Sequence, residues 1–487
     1  MFISLTKDDF IKEINGLVSS DNDRQALLFV PKNVVPLLSC YVENNRRPSG
    51  ISSNRNSQNN DTSIVRFKNH FSVISNFKRF KSMKKLFTAV ALLGLFNSAV
   101  MATSEGDTST EPSATSKKPT KKALTLAGGW KTGFSGNINT HYVYTSVEQN
   151  PVQVDGGFVP TGKAGVHSVQ NGLLPASLVF SANKVTADSL EIGATIGTFV
   201  GTVSNGALSY SDVDVRQAFM TISKKKMGTF LLGRNFGIFG FDAIINDMSL
   251  VGQGAVLSPK NPANTSLGGI GFGYIYCDRL SQINYTTPTF SGITLTAGVF
   301  QPINVLGGAE TVSTSPGIHG KATYATTAGS TKINFSASVL SQDITPDVTN
   351  AKSVSATAFD VFGKLSAGAF GLSAYYYSGS GIGTTALFLQ STDAAGNART
   401  SNGFYIQPTV TFGKTKIGVN YGVSNLTKNS VDTNTLLSQH QRITVGVYHT
   451  ITDGLTLVTE YTNLSAKNQG GSSNTAASFN IGCMLFF

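Results

Sequence analysis

Downstream of position 102, residue types able to do chemistry are sparse. They are His141, His167, His319, His440 and His449, the thiols Cys277 and Cys483, and scattered acids and arginines. Nucleophilic or acid–base catalysis needs a base within hydrogen-bond reach of a nucleophile or carboxylate. The histidines fall singly on strand-like or loop-like stretches, none in a motif with such a partner, so an enzyme is disfavoured. Two thiols make no disulfide framework and their spacing fits no metal site; the third, Cys40, lies in an N-terminal stretch unlike the rest. No cofactor is expected. What stands out instead is GRNFGIFGFDAIINDMSL, Gly233 to Leu250. Arg234 closes a strand-like run that starts near Gly228, and the next convincing strand begins only near Tyr274. Between them Phe239, Phe241, Ile244 and Ile245 accompany Asp242 and Asp247. That mixture suits a segment packed on a wall on one side and facing water on the other.

The elements that hold this segment are read from composition and period. Charged residues make up 13% of the chain, about half the usual share, while Gly (50), Phe (31) and Tyr (15) are abundant. No stretch offers the ~20 apolar residues of a membrane helix. Strands apolar on one face only, as in a transmembrane β-barrel, fit this composition; a secreted β-sandwich or β-helix fits it equally. The formal charge of +11 is concentrated upstream: residues 103–487 carry 24 Lys and Arg against 20 Asp and Glu. No basic face with interleaved aromatics is visible, so nucleic acid is not an expected partner.

Period-two alternation separates barrel from sandwich only when the connections are added. In FSGNINTHYVYT, Phe134, Ile138, Tyr142 and Tyr144 share one face, and Ser135, Asn137, Asn139 and His141 the other. The pattern recurs in SLEIGATI, TKINFSASV and KTKIGVNYG. Short links at VTADS, SKKKMG, TPTFSG, TTAGST, KLSAGAFG, TFGKT and ITDG alternate with longer segments. The longer ones run roughly over 147–174, 202–211, 238–273, 302–317, 342–353, 379–402, 425–440 and 466–475. Seven turns and eight loops connect sixteen strands. Tight turns at one end, long loops at the other and an even strand number are barrel features, and in lipid a closed sheet satisfies every backbone polar group. The expected fold is therefore an all-β, sixteen-stranded antiparallel transmembrane barrel over 129–487. In SFNIGCMLFF, Phe479, Ile481, Cys483, Leu485 and Phe487 share a face. A terminal Phe there resembles the signal by which outer-membrane barrels are recognised, so Phe487 is expected to be read by the barrel-assembly machinery.

Upstream, MKKLFTAVALLGLFNSAVMA, residues 83–102, has a basic start, an apolar core and a small-residue exit, the parts of a secretory signal peptide. Residues 1–82 are polar, basic and unlike the remainder, and read as a mis-assigned extension of the gene; a small N-terminal domain that blocks or delays export is the alternative. Residues 103–128 open on a low-complexity polar tract and are expected to form a disordered linker.

The stretches VRQAFMTISKKKMGTFLLGRNFGIFGFDAIINDM and DRLSQINYTTPTFSG, with the first strand and the terminal Phe, resemble the Gram-negative general diffusion porins. The resemblance implies an outer-membrane barrel whose third outer loop folds into the lumen. It also implies homotrimers in outer-membrane lipid and passive passage of small hydrophilic solutes and ions. Sixteen strands enclose a channel wide enough to need such a narrowing. An arginine facing lipid at mid-bilayer costs roughly 2–4 kcal/mol, so Arg216, Arg234 and Arg279 are expected to face the lumen, leaving Phe219 for the lipid. The family sets loop acids against wall bases. By that likeness Asp242 or Asp247 should approach the wall of Arg216 and Arg279, with Arg234 also at the constriction. Asn137 and Ser177 stand where the family bears Lys and Arg, which implies weak selectivity. The alternation from Arg279 to Tyr285 is broken, pointing to a bulge there. A substrate-specific channel is the closest rival, and an adhesin or receptor on a barrel scaffold a further one.

Overall fold

The computed structural model describes residues 124–487 except 163–164, 204–212, 261, 304–314, 346–352 and 385–387. The readings of residues 1–82, 83–102 and most of the polar linker lie outside these residues, as do parts of several outer loops.

Alternating side chains and glycine-containing turns produce sixteen long strands. The first eight are β1 (Trp130–Val147), β2 (Ala176–Val185), β3 (Glu191–Val200), β4 (Val213–Lys224), β5 (Gly228–Phe236), β6 (Arg279–Thr286), β7 (Ile293–Phe300) and β8 (Gly317–Ala328). The remainder are β9 (Thr331–Ile344), β10 (Val354–Ala367), β11 (Phe370–Ser380), β12 (Thr400–Phe412), β13 (Thr415–Leu426), β14 (Leu437–Thr452), β15 (Leu455–Asn468) and β16 (Ser473–Phe486). Each pairs antiparallel with its neighbours, and β16 returns to β1 from Ala476↔Val147 to Phe486↔Asn137. Phe487 completes the seam by exchanging both backbone bonds with Gly136 at 3.0 Å. A Cβ at Gly136 would lie 2.3 Å from the Ser177 carbonyl oxygen and 2.7 Å from the Phe487 ring, so this strand position must stay bare. Among the described residues, closure leaves none of the sixteen long strands as an edge of the sheet.

The seven tight turns and eight longer connections fall where the alternation placed them. Two short segments add detail. Val166–Gln170 pairs with the outer half of β1 and is separated from β2 by Asn171–Pro175, so the second wall strand is broken. Leu124–Leu126 pairs with Trp130–Thr132 after a turn through Gly128 and Gly129, both at positive φ. Paired backbone therefore begins at Leu124, inside the expected linker to 128, where the polar tract ends and the first apolar alternation begins.

Outward rows are apolar and inward rows polar. Phe134, Ile138, Tyr142 and Tyr144 are exposed, whereas Asn137, Asn139 and His141 on the same strand are buried inside. Phe479, Ile481, Cys483, Leu485 and Phe487 share the outward row as expected. Cys277 is buried, so the two thiols lie on opposite faces of the wall. Strand length divides the barrel. β5, β6 and β7 have 9, 8 and 8 residues, against 14 in β9, β10 and β15 and 16 in β14.

Candidate functional site

The chain leaves β5 at Phe236 and re-enters the wall at Arg279, and the neck of this loop is closed by Gly237 N donating to Asp278 O at 2.9 Å. Gly240 makes the first sharp turn with φ of 71°, and a Cβ there would lie 2.2 Å from the Ile275 carbonyl oxygen. A single α-helical stretch, α1 (Phe241–Asn246), and a 3-10 turn, Met248–Val251, follow. Asp247 links them: its side chain accepts from Ser249 N at 2.9 Å, satisfying a donor that the turn leaves open.

The loop lies inside the barrel, and its contacts follow the wall from β8 round to the break before β2. Asp242 is bridged to Lys321 at 3.2 Å and accepts from Ser336 Oγ at 2.7 Å. Gly240 N donates to Asp360 Oδ2 at 2.7 Å. Lys364 Nζ donates to Asn246 Oδ1 at 2.9 Å, and Gln407 grips both Asn246 O and Met248 N at 2.8 Å. Asp247 is bridged to Arg442 at 3.2 Å with both side chains wholly buried. Glu460 accepts from Gln253 N, Gly254 N, the Tyr448 hydroxyl and Asn480. Beyond it Gln253 bonds Gln170 and the Asn171 carbonyl, and Leu173 N donates to Gly252 O.

Apolar packing fixes the same docking. Phe239, Ala243, Tyr274, Ile275 and Cys277 join inward residues such as Phe362, Tyr375 and Tyr405 in one cluster, with Ile244 packed against it. Burial pushes the Tyr274 hydroxyl and the Cys277 thiol well up, so both stay protonated and donate, to Asp247 Oδ2 and Phe239 O respectively. Arg442 fits because the loop is bare beside it. A Cβ at Gly254 or Gly269 would sit 2.6 Å from a guanidinium nitrogen.

The acids and arginines singled out from sequence are therefore not set against one another. Asp242 and Asp247 meet Lys321 on β8 and Arg442 on β14. Arg216 and Arg279 instead share Asp214, at 2.9 and 3.2 Å, and Arg279 also reaches Asp278 at 2.9 Å. The reason is the loop's path: it turns away from its own root and lays its acids on the far strands. Arg216 is reached by a register shift between β3 and β4, which places it against the Phe199 ring, 4.9 Å away. The shift reverses the expected parity downstream, so Met220 and Ile222 are exposed and Phe219 falls in the opposite, inward row. β6 has no bulge; its register with β5 runs unbroken from Arg279↔Phe236 to Thr286↔Thr229. That register sets Arg279, expected to face the lumen, at the strand end on the row of Ser281 and Ile283, just after Asp278 at φ 66°. Arg234 pairs in register with Ala218 and Ser281, in the row continued by Met220 and Ile283, the outward row, and not with the inward residues. Gly233 beside it has φ of 127°, which interrupts regular alternation there. Asn137 and Ser177 face each other in register and share a hydrogen bond between side chains, a neutral pair.

Sequence reasoning missed Lys321, Arg442, Asp360 and Glu460. Each lies on the polar face of an alternating strand, in GIHGKATY, SQHQRITV, TAFDVFG and VTEYTN. Histidines serve packing. His440 stands between the rings of Phe158 and Phe272, and His319 stacks on Phe300. His141 lies beside Glu460 and Asn480.

A closed antiparallel barrel with polar interior and an inward-docked loop defines the class of outer-membrane channels. A family model for Gram-negative porins matches residues 89–469, and the chain belongs to that family. It is an outer-membrane diffusion channel, a family and fold without enzymatic function. The outer-membrane channel DcaP of Acinetobacter baumannii is similar in structure at 13% identity, with 75% of this chain and 99% of that one covered and a TM-score of 0.59. An anion-selective porin from Comamonas acidovorans is similar at 15% identity, covering 74% and 100%, with a TM-score of 0.51. At such identities the likeness is one of fold. A comparison with curated protein sequences finds none that matches.

Proposed function

We propose that the channel passes small hydrophilic solutes and ions by size, with its bore set by the loop at 237–278 and with weak preference between cations and anions. The observation that carries this reading is the loop's docking across the lumen through Asp242–Lys321 and Asp247–Arg442. Weak selectivity follows because both loop acids are neutralised, Arg216 and Arg279 share Asp214, and Asn137 with Ser177 contributes no charge. Planar-bilayer recordings with a panel of solutes test it. Conductance should rise with salt without saturating, and sugars should pass below one size limit. Transport of a single solute alone would instead mark a substrate-specific channel.

The protein works as a homotrimer in this reading. The support is an outward groove of about 1030 Å³ on the short-strand side, bordered by Ile196, Met220, Leu232, Ile283 and Val299, which a second copy would cover. A monomer by native mass spectrometry would refute the trimer. Residues 83–102 direct export and are removed, so the exported chain starts near Thr103; peptides from 1–82 in outer-membrane material would overturn this. Phe487 is the assembly signal, and deleting it should lower barrel yield while export continues.

A further inference from the structure

A second outer connection also enters the barrel: residues 148–162, between β1 and the paired segment Val166–Gln170. Its neck is closed where Gly162 N donates to Glu148 O at 3.1 Å. Beyond the neck it is bonded to side chains of the inward rows. Asn474, in the row of Asn480, accepts from Val152 N at 2.9 Å and donates to Val152 O at 2.8 Å. Asn468, in the row of Glu460, donates to Gln153 O at 2.9 Å. His440, in the row of Arg442, accepts at Nε2 from Phe158 N at 3.0 Å. On β14 and β15 these contacts lie nearer the outer rim than Arg442 and Glu460, which hold the docked loop. On β14 the two levels are two residues apart, about 7 Å along the strand. At the rim Asp155 N donates to Thr435 O at 2.8 Å and Leu437 N to Asp155 O at 3.0 Å.

Phe158 and Val159 join the segment to the docked loop. The Phe158 ring stacks on His440 with centroids 5.7 Å apart, and Phe272 approaches the same imidazole at 4.5 Å. Val159 is buried with Ala255 and Phe272 of the docked loop and with Leu464 and Ala476 of the wall. Two glycines allow this path. A Cβ at Gly156, φ 82°, would lie 2.7 Å from the Gln390 side chain, and one at Gly162, φ 117°, would lie 2.7 Å from Lys260 Nζ. Gln390 is itself held by Arg399, whose guanidinium is bridged to Asp432 at 2.6 Å. Wall, docked loop and neighbouring outer loops thus clasp the segment. Bonded to inward residues of β14, β15 and β16, it covers that sector of the lumen above the docked loop.

We propose that residues 148–162 form a second narrowing nearer the outer mouth, so that solute meets two restrictions in series, and that Phe158 fixes the outer one. The proposal rests on the channel reading, because only a solute moving through the lumen meets it. Restrictions in series add their resistances to flow. Gln149, Asn150 and Gln153 are exposed amides without charge. The one carboxylate beyond the neck, Asp155, is satisfied by the Thr435 hydroxyl and the Gln153 amide. The outer restriction therefore sorts neutral hydrophilic solutes by size.

The test uses the full-length protein, with single-channel conductance in KCl and liposome swelling in neutral mono-, di- and trisaccharides. Replacing residues 152–159 by Gly-Ser-Gly leaves the strand ends in place, because Glu148 already meets Thr161 and Gly162 at the neck. That variant should conduct more than wild type, and its swelling rate should rise more for the trisaccharide than for the monosaccharide. Phe158→Ala keeps the backbone bond and loses the ring stack, so both readouts should move the same way by less. Val431→Ala, at an exposed position of the loop at 427–436, should change neither. Hydrogen exchange over 247–254 should stay at the wild-type rate in the replacement, since Arg442 and Glu460 hold that stretch independently. Faster exchange there would assign the rise to a loosened docked loop and overturn the second narrowing. Wild-type conductance and sugar ratios in a folded replacement variant, even with noisier current, would make the segment a brace outside the solute path and overturn it too. Absence of KCl current in the wild type would instead overturn the channel reading.

Discussion

The two sides of the barrel spend their charges differently. On the long-strand side, from β8 to β15, inward acids and bases are used to hold the loop: Lys321, Asp360, Arg442 and Glu460 each bond it. On the short-strand side, Arg216 and Arg279 bracket Asp214 on the wall itself. A charge bonded to the loop fixes where the loop lies, whereas the arginines on the wall fix only their neighbour on the same wall, with similar exposure: Lys321 and Asp242 are 13% and 20% exposed, Arg216 and Arg279 12% and 20%. The same residue types thus hold a loop on one side and pair along the wall on the other, and the partner each one meets decides which.

Breaking the buried side should have the largest effect. Removing one partner of a buried ion pair costs about 3–5 kcal/mol, so Arg442→Met or Asp247→Ala should release the loop locally while the closed sheet persists. Hydrogen exchange over 247–274 and larger current noise would register it; unchanged exchange would mean the pair is dispensable. Restoring neutrality in the double variant should recover part of the loss. Asp247→Asn is expected to act in the same way, by loosening the loop, more than by removing a field.

Glu460→Gln keeps an acceptor but loses the charge that gathers Gln253 N, Gly254 N, Tyr448 and Asn480. A hydrogen bond to a charged group contributes about 1.5–3 kcal/mol, so the segment at 252–254 should exchange faster with the ion pair at Asp247 intact. Equal protection in variant and wild type would show that packing alone holds this end.

The bare wall should respond in selectivity and not in stability. Arg216→Gln or Arg279→Gln should move the reversal potential towards cations, most clearly at low salt, since bathing ions screen charge over about 10 Å at 0.1 M. A shift towards anions would place these arginines away from the path. The smallest effect concerns the outer loops. Burial alone would raise the Asp393 carboxyl, but hydrogen bonds from Asn397 and Asn429 outweigh it and hold it down to about 2, against 3.8 ordinarily. Its contribution to joining the loops at 381–399 and 427–436 is present above the ordinary value and lost as pH falls through about 2. A carboxyl titration by NMR with a midpoint near 4 would contradict this.

Most of the fold was legible because barrel strands alternate and their turns are short. The parity of β16 and the position of every tight turn could be read directly. The site was legible only in part. Apolar residues at Phe239 and Ile244 and acids at Asp242 and Asp247 announced a loop that docks, whereas Lys321 and Arg442, its partners on β8 and β14, were not singled out. Nothing local says which far strand a loop will meet, because that contact is set by the closure of the whole ring. Phe219 was misplaced for a related reason: one extra residue at Arg216 inverts every position after it, and the sequence carries no glycine or proline to mark the bulge.

The central claim is that the loop occupies the lumen and sets its bore. Its most direct test is the single-channel conductance of a variant lacking residues 240–262, recorded in KCl after confirming that the barrel still folds. That deletion removes α1, both loop acids and the contacts to Arg442 and Glu460. Conductance should rise above wild type, because an obstruction is gone and newly bare inward charges face water. Wild-type conductance in the folded deletion variant would place the loop outside the ion path and contradict the account.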